Sequence, residues 1–140
     1  MLSLERANTV IVATIDKGRK LGLKPLTVAV VDAGGHLIAF QRADGSPNLR
    51  PVIAIGKATA AVGLGVSSRR AGEMAVERPH FIAAIGHLAA QGLVPVAGGV
   101  IVVDEFGQPI GAVGVSGDTS DNDETCALAG IAAAGLRAKE

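Results

Sequence analysis

The sequence predicts an α+β fold in which helices flank an antiparallel sheet of about five strands. Helical patterns at both ends of the chain, short β-branched runs between them and an internal repeat predict it. In the repeat, residues 31–38 align without gaps to residues 103–110, and both copies read as strand, Asp-x-x-Gly turn and strand. Asp accepts backbone hydrogen bonds in such a turn and Gly takes its positive-φ position. The repeat therefore predicts two hairpins in one sheet.

The elements in the first half of the chain are predicted from local sequence signals. The first helix begins at a capping Ser3 and ends at Gly22. Pro51 suits the first turn of the second helix. The expected elements of this half are a helix over 3–21, strands over 26–31 and 36–42, and a helix over 51–64.

The second half of the chain also contains both helices and strands. Two further helices precede the second hairpin, and a final Ala-rich helix, with Ser120 as its N-cap, closes the chain. The expected elements are helices over 69–76 and 79–91, strands over 99–103 and 110–115, and a helix over 120–138.

Composition limits the function classes. The 140 residues predict one domain spanning 1–140, and with 49% apolar but only 2% aromatic residues its core must be aliphatic and closely packed. The net charge is zero, and the absence of a basic tract or aromatic platform argues against a nucleic-acid partner. No apolar run has membrane-spanning length, and the first residues do not resemble a signal peptide. We therefore expect a cytoplasmic protein with no membrane partner. The neutral charge and the apolar, Ala- and Gly-rich composition predict that it buries surface in homo-oligomer contacts.

The stretch over 109–124 joins a glycine-rich strand to an acidic helix start. Glycines at 111, 114 and 117 indicate that another element of the fold or a ligand approaches this backbone closely. Four carboxylates follow, and no Lys follows Gly117 as a phosphate-binding P-loop requires. The carboxylates themselves compensate the helix dipole, so nucleotide binding is disfavoured.

Lys57 is the most informative charged residue. At helical spacing its neighbours are apolar, which places it on a face that is buried or at a helix edge. A buried Lys needs a carboxylate partner and can bind an anionic ligand or act as a base, whereas an edge Lys extends into solvent. Both interpretations stay open. The candidate partners are Asp121, Asp123 and Glu124.

Two groups are candidates for metal ligation. His36 follows a Gly-Gly turn, where it is either an axial heme ligand or general base, or an exposed turn residue like its counterpart Gln108. Asp121 and Glu124 share a helix face and either hold iron or cap the helix. No His-x3-His or Cys-x2-Cys spacing occurs, so a zinc site is not expected.

Five motifs in this order resemble the GlcG/HbpS family of small heme-binding proteins, also described as heme-degrading domains and related to the C-terminal domain of PduO. They are Val-Val-Asp-Ala-Gly-Gly-His-Leu at 30–37, Gly-Lys-Ala-Thr-Ala-Ala at 56–61, Gly-Gly-Val at 98–100, Gly-Ala-Val-Gly-Val-Ser-Gly at 111–117, and Asp-Glu with an Ala-rich helix from 123. The resemblance implies a profilin-like sheet, dimers to octamers, heme as cofactor with His36 as ligand, and a place in a catabolic operon.

Two functions remain open. The first is a heme- or small-ligand-binding protein with a pocket near His36, Lys57, Gly114 and Ser116. The second is an isomerase or tautomerase in which Lys57 fixes a carboxylate metabolite, Glu124 or His36 moves a proton, and the backbone over 114–117 stabilises an enolate.

Overall fold

The computed structural model describes residues 1–139 and confirms the α+β class. Five antiparallel strands form one sheet in the order β2-β1-β4-β3-β5, with helices on both faces. The helices are α1 (Leu4–Lys20), α2 (Arg50–Leu64), α3 (Ser68–Glu77), α4 (Pro79–Gly86) and α5 (Ser120–Ala133). The strands are β1 (Thr27–Asp32), β2 (Leu37–Arg42), β3 (Gly99–Val103), β4 (Pro109–Ser116) and β5 (Arg137–Ala138).

The two hairpin turns have the same hydrogen bonds. In the first turn, Asp32 Oδ1 accepts from the backbone amides of Gly34 and His36, both at 2.9 Å. In the second turn, Asp104 Oδ1 accepts from the backbone amides two and four residues later, again at 2.9 Å. The fourth residue of each turn is a glycine, with φ of 84° and 80°. The internal repeat is therefore a repeat of turn chemistry, and β1–β2 and β3–β4 are both hairpins.

The sheet has a different core on each face. Alternate valines of β1, β3 and β4 pack against α1 and α5, which contact each other along their lengths. The intervening side chains face α2, where Ala58 and Ala61 pack on Val31 and Ile101. The result is a three-layer arrangement with small residues at the α2 interface.

Glycines bring α2 unusually close to the sheet. A Cβ atom on Gly114 would lie 1.9 Å from the carbonyl oxygen of Ala54, and one on Gly99 would lie 2.2 Å from that of Lys57. At Gly111 and Gly117 the same test meets other backbone carbonyls of the fold, at 2.3 and 2.4 Å. Of the two explanations for the glycine-rich strand, the structure shows close approach of another element.

Three boundaries predicted from the sequence were wrong. The helix predicted over 79–91 ends at Gly86, because the following segment turns back to contact α2 and the first hairpin. The last helix ends at Ala133 rather than 138, because Gly135 takes a φ of 70° and residues 137–138 pair with β3 as β5. The N-cap of α5 is Thr119 rather than Ser120, since the Thr119 hydroxyl accepts from the amide of Asn122 at 3.2 Å.

Within residues 1–139, no single helix combines the length and apolar character needed to cross a membrane. By length and composition alone, α2 and α3 taken together reach that threshold, but they meet at a bend of 77°.

Candidate functional site

A shallow cleft lies where the first hairpin turn meets α2 and the segment after α4. Its volume is about 230 Å³. The walls consist mainly of small or apolar residues, and His36 stands at the rim. The lining includes Ala33, Gly35, Val62, Gly63, Ala89 and Ala90.

The imidazole of His36 is exposed yet held in place by its own turn. Its side chain is 78% exposed, and Nδ1 lies 3.3 Å from Asp32 Oδ1. A Cβ on Gly34 would lie 2.9 Å from His36 Cε1, so the missing side chain lets the ring lie back over the turn. The hydrogen bond from the His36 backbone amide is the main cause that lowers the pKa of Asp32. An ionised Asp32 favours a proton on Nδ1, which leaves Nε2 as the nitrogen available to a ligand.

The opposite wall of the cleft is fastened by two hydrogen bonds. The Gln91 side-chain amide donates to the carbonyl of Gly35 at 3.0 Å, and the Thr59 hydroxyl donates to the carbonyl of Gly92 at 2.8 Å. Sequence reasoning missed this wall because its contacts join residues 33 and 56 positions apart. A turn signal at Gly92 was the only local indication that the chain reverses there.

Lys57 is buried, as the first of its two interpretations requires. Its side chain is 2% exposed, and Nζ donates to Asp123 Oδ2 at 3.1 Å and to the carbonyl of Val115 at 2.9 Å. Burial lowers the pKa of Lys57 and raises the pKa of Asp123, and the attraction within the pair opposes both shifts. The ion pair ties α2 to β4 and to the start of α5.

The other two candidate partners of Lys57 bind a different cation. Both carboxylate oxygens of Glu124 accept from Arg69 Nε at 3.1 Å, and Asp121 accepts from Arg69 Nη2. Arg69 belongs to α3, so these two ion pairs join α3 to α5. Among residues 1–139, no group of three or more His, Cys, Asp or Glu side chains has the geometry of a metal site. Iron binding by Asp121 and Glu124 stays a prediction.

Gly114 and Ser116 lie under α2 rather than at the cleft. Gly114 is in backbone contact with α2, and the buried Ser116 hydroxyl accepts from Arg50 Nη1 at 3.0 Å. Neither residue lines the His36 cleft, and neither does Lys57. The sequence-predicted residues therefore fall into three groups. His36 is exposed at the cleft, Lys57, Gly114 and Ser116 are buried around α2, and Asp121 and Glu124 pair with Arg69. Sequence reasoning also missed Arg50. The only local signal for this residue was its position beside Pro51, at the predicted start of the helix.

Asp118 makes stability depend on acid pH. Hydrogen bonds from the Asn122 side chain and from the amides of Lys24 and Thr119 lower its pKa to about 2. Because the folded pKa lies below the usual 3.8, the stabilisation is complete above about pH 4 and is lost as the pH falls towards 2. We expect the urea midpoint of Asp118→Asn to fall less steeply than that of the wild type between pH 5 and pH 2. Equal slopes would contradict this assignment.

The chain was compared with known families and structures. The family model described as "Haem degrading protein HbpS-like" matches residues 2–132. A double mutant of Streptomyces reticuli HbpS is 30% identical, with 94% of this chain and 85% of that chain covered and a TM-score of 0.82. Klebsiella pneumoniae protein ORFY is 25% identical over 95% of this chain and 90% of its own, with a TM-score of 0.84.

A PduOC:heme complex shares the fold, with a TM-score of 0.86 at 23% identity over 99% of both chains. No curated protein matches the chain. Since the family model covers nearly the whole chain, the resemblance inferred from its five motifs is confirmed, and the chain belongs to the HbpS-like family.

Proposed function

We propose that this chain is a heme-binding protein in which Nε2 of His36 is the axial ligand. The single observation that carries the proposal is the exposed imidazole at the rim of an apolar cleft, oriented by Asp32. Membership of the HbpS-like family supports it, as does the same fold in a protein solved in complex with heme.

The residues present fit a heme. An imidazole with one nitrogen engaged by a carboxylate is a typical axial ligand, because the second contact fixes the tautomer and the ring orientation. The lining offers alanines, glycines and a valine against which a flat ring can lie. A bound heme would supply an iron centre for redox or ligand chemistry.

The cleft is smaller than a heme site in one subunit should be. Its volume of about 230 Å³ lies below the range of about 300–1,000 Å³ that is usual for small-molecule sites. We propose that a second copy of the chain covers the rest of the macrocycle. Edge strand β2 supports this, since its exposed Leu37 and Phe40 are 42% and 45% accessible and Leu37 directly follows the ligand. A cytoplasmic location and a catabolic operon stay predictions from the sequence.

The test is a hemin titration of the purified protein followed by its Soret band. His36→Gln is the informative variant, because the second hairpin carries Gln108 at the same position with the same turn hydrogen bonds. We expect the variant to bind hemin at least about tenfold more weakly, or about 1.4 kcal/mol, with a shifted band. His80→Gln, an exposed residue of α4 outside the cleft lining, should bind like the wild type.

The outcomes separate the parts of the proposal. Saturation at one heme per two subunits supports a shared site, as does dimerisation on saturation at one heme per subunit. A hemin-saturated protein that stays monomeric removes the sharing but keeps the ligand. If hemin binding is saturable and His36→Gln leaves it unchanged, the protein binds heme but His36 is not the axial ligand. Weak binding that does not saturate would overturn the heme assignment.

The enzyme alternative gains no support from the geometry. Lys57 is held by Asp123, and Glu124 is held by Arg69. The cleft that His36 lines includes neither Lys57 nor Glu124. Proton transfer by these residues stays a prediction.

A further inference from the structure

The end of the sheet opposite His36 carries two guanidinium groups above a row of hydroxyl-bearing residues. The strand register places Thr27 of β1 beside both Arg42 of β2 and Ser116 of β4. Residues paired across neighbouring strands point to the same face. This row therefore faces α2, whose first residue, Arg50, donates to Ser116 Oγ at 3.0 Å. We name Thr27, Arg42, Arg50 and Ser116 the cationic end.

One hydrogen bond orients each guanidinium group at this end of the sheet. Arg42 Nη1 donates at 3.2 Å to Asn48 Oδ1, and Asn48 precedes Arg50 by two residues. Beneath them, the buried hydroxyls of Thr27 and Ser46 lie 2.9 Å apart. Among residues 1–139, each guanidinium thus donates from one nitrogen to a neutral oxygen, and its further N–H donors have no partner.

The positive charge of the cationic end is not matched by the protein. Neither Arg42 nor Arg50 makes an ion pair with any carboxylate within residues 1–139, whereas Arg69 and Arg70 each pair with two. The adjacent cation, Lys57, is neutralised by Asp123. The Asp123 side chain is only 1% exposed, so its carboxylate is not available to the two arginines. Asp44, in the loop between the two arginines, forms no ion pair with any residue of 1–139.

The start of α2 adds to this imbalance. No side chain caps its N-terminus, and its first turn contains no acidic residue. Because Arg50 is the first residue of α2, the positive end of the helix dipole adds to the positive charge of the cationic end. By contrast, the starts of α1 and α5 are both capped by a hydroxyl and carry carboxylates.

We propose that the cationic end binds a small oxyanion, a phosphate or a carboxylate, between Arg42 and Arg50. Planar guanidinium groups recognise both classes through paired N–H donors. Arg42 and His36 lie at opposite ends of β2, about 20 Å apart, so this site is separate from the proposed heme site. Failure of either proposal leaves the other intact.

Protection from phenylglyoxal, which modifies guanidinium groups, tests the site in the wild-type protein. Labelling of each arginine is followed by peptide mass spectrometry in phosphate, acetate or chloride at one ionic strength. We expect phosphate or acetate to slow labelling of Arg42 and Arg50 at least about threefold relative to chloride. Arg6 is the control, because it is exposed and forms no ion pair among the described residues.

The pattern across the three salts decides the ligand. Protection by phosphate alone assigns a phosphate site, protection by acetate alone assigns a carboxylate site, and protection by both supports a general oxyanion site. Equal labelling in all three salts, or equal slowing at Arg6, would overturn the proposal.

A variant provides the second measurement. The double substitution Arg42→Gln and Arg50→Gln should weaken binding of the protecting anion at least about tenfold by calorimetry. The matched control is the double substitution Arg6→Gln and Arg70→Gln, which also removes two positive charges, both at exposed positions outside the cationic end. Unchanged affinity in the double variant would contradict the assignment, and the wild-type labelling decides the question if that variant does not fold.

Discussion

Lys57→Met should lower the free energy of unfolding by about 3–5 kcal/mol, although Met has nearly the volume of Lys. The substitution leaves the carboxylate of Asp123, 1% exposed, without its cation. It also removes the donor to the carbonyl of Val115. An uncompensated buried charge costs far more than the loss of an exposed contact. Urea unfolding at pH 7 measures the loss.

A double-mutant cycle distinguishes the ion pair from packing. Asp123→Asn keeps an oxygen for the amide of Asp118, which donates to Asp123 Oδ1 at 2.9 Å. We expect the double variant with Lys57→Met to lose clearly less than the sum of the two single losses. Additive losses would show that the two side chains are not coupled.

An exposed pair provides the control. Lys20 and Asp16 lie 3.0 Å apart on α1, with side chains 72% and 53% exposed, so Lys20→Met should cost no more than about 0.5 kcal/mol. A loss below about 1 kcal/mol for Lys57→Met would contradict the buried-pair account. If the expected loss is found, any loss of function in Lys57 variants must first be separated from unfolding.

Gly114→Ala should destabilise the protein by more than about 3 kcal/mol or prevent folding. The new Cβ would lie 1.9 Å from the carbonyl oxygen of Ala54 and 2.9 Å from the amide nitrogen of Ala58. Both obstacles are backbone atoms of α2, which no rotamer change can move. The helix must therefore shift off β4 and lose close packing along the sheet. Thermal and urea unfolding measure the effect.

Gly63→Ala is the matched control on α2 itself. A Cβ there meets nothing within 4 Å, and the residue has ordinary helical backbone without positive φ. Alanine should stabilise this helix by about 0.5–1 kcal/mol, since it loses less backbone entropy than glycine on folding. Equal effects at the two glycines would show that α2 does not rest on Gly114 as the structure indicates.

Local chemistry explains which elements could be predicted. The hairpin turns were predictable because each depends on one Asp and one Gly within five residues. The end of α5 was not, because the alanines beyond Ala133 favour a helix. Gly135 and the open edge of β3 decide instead that residues 137–138 pair as a strand.

The candidate site shows the same division. His36 was identifiable from its place after the turn, and the structure places it at a cleft whose far wall comes from Gln91. The carboxylate that pairs with Lys57 was one of three candidates. Successive helical residues are rotated by about 100°, so Asp123 points away from the side of α5 that carries Asp121 and Glu124.

The sequence by itself determined the fold class and the two hairpins, because turn signals and hydrophobic periodicity act over a few positions. The resemblance of its five motifs indicated the family, and residue types alone marked the candidates for chemistry. Only the tertiary structure decided which groups meet. It buried Lys57 on Asp123, gave Arg69 to Asp121 and Glu124, and gathered Arg42 and Arg50 at one end of the sheet. These contacts depend on strand register and on the depth at which glycines let α2 pack, and neither is encoded within a local stretch of the chain.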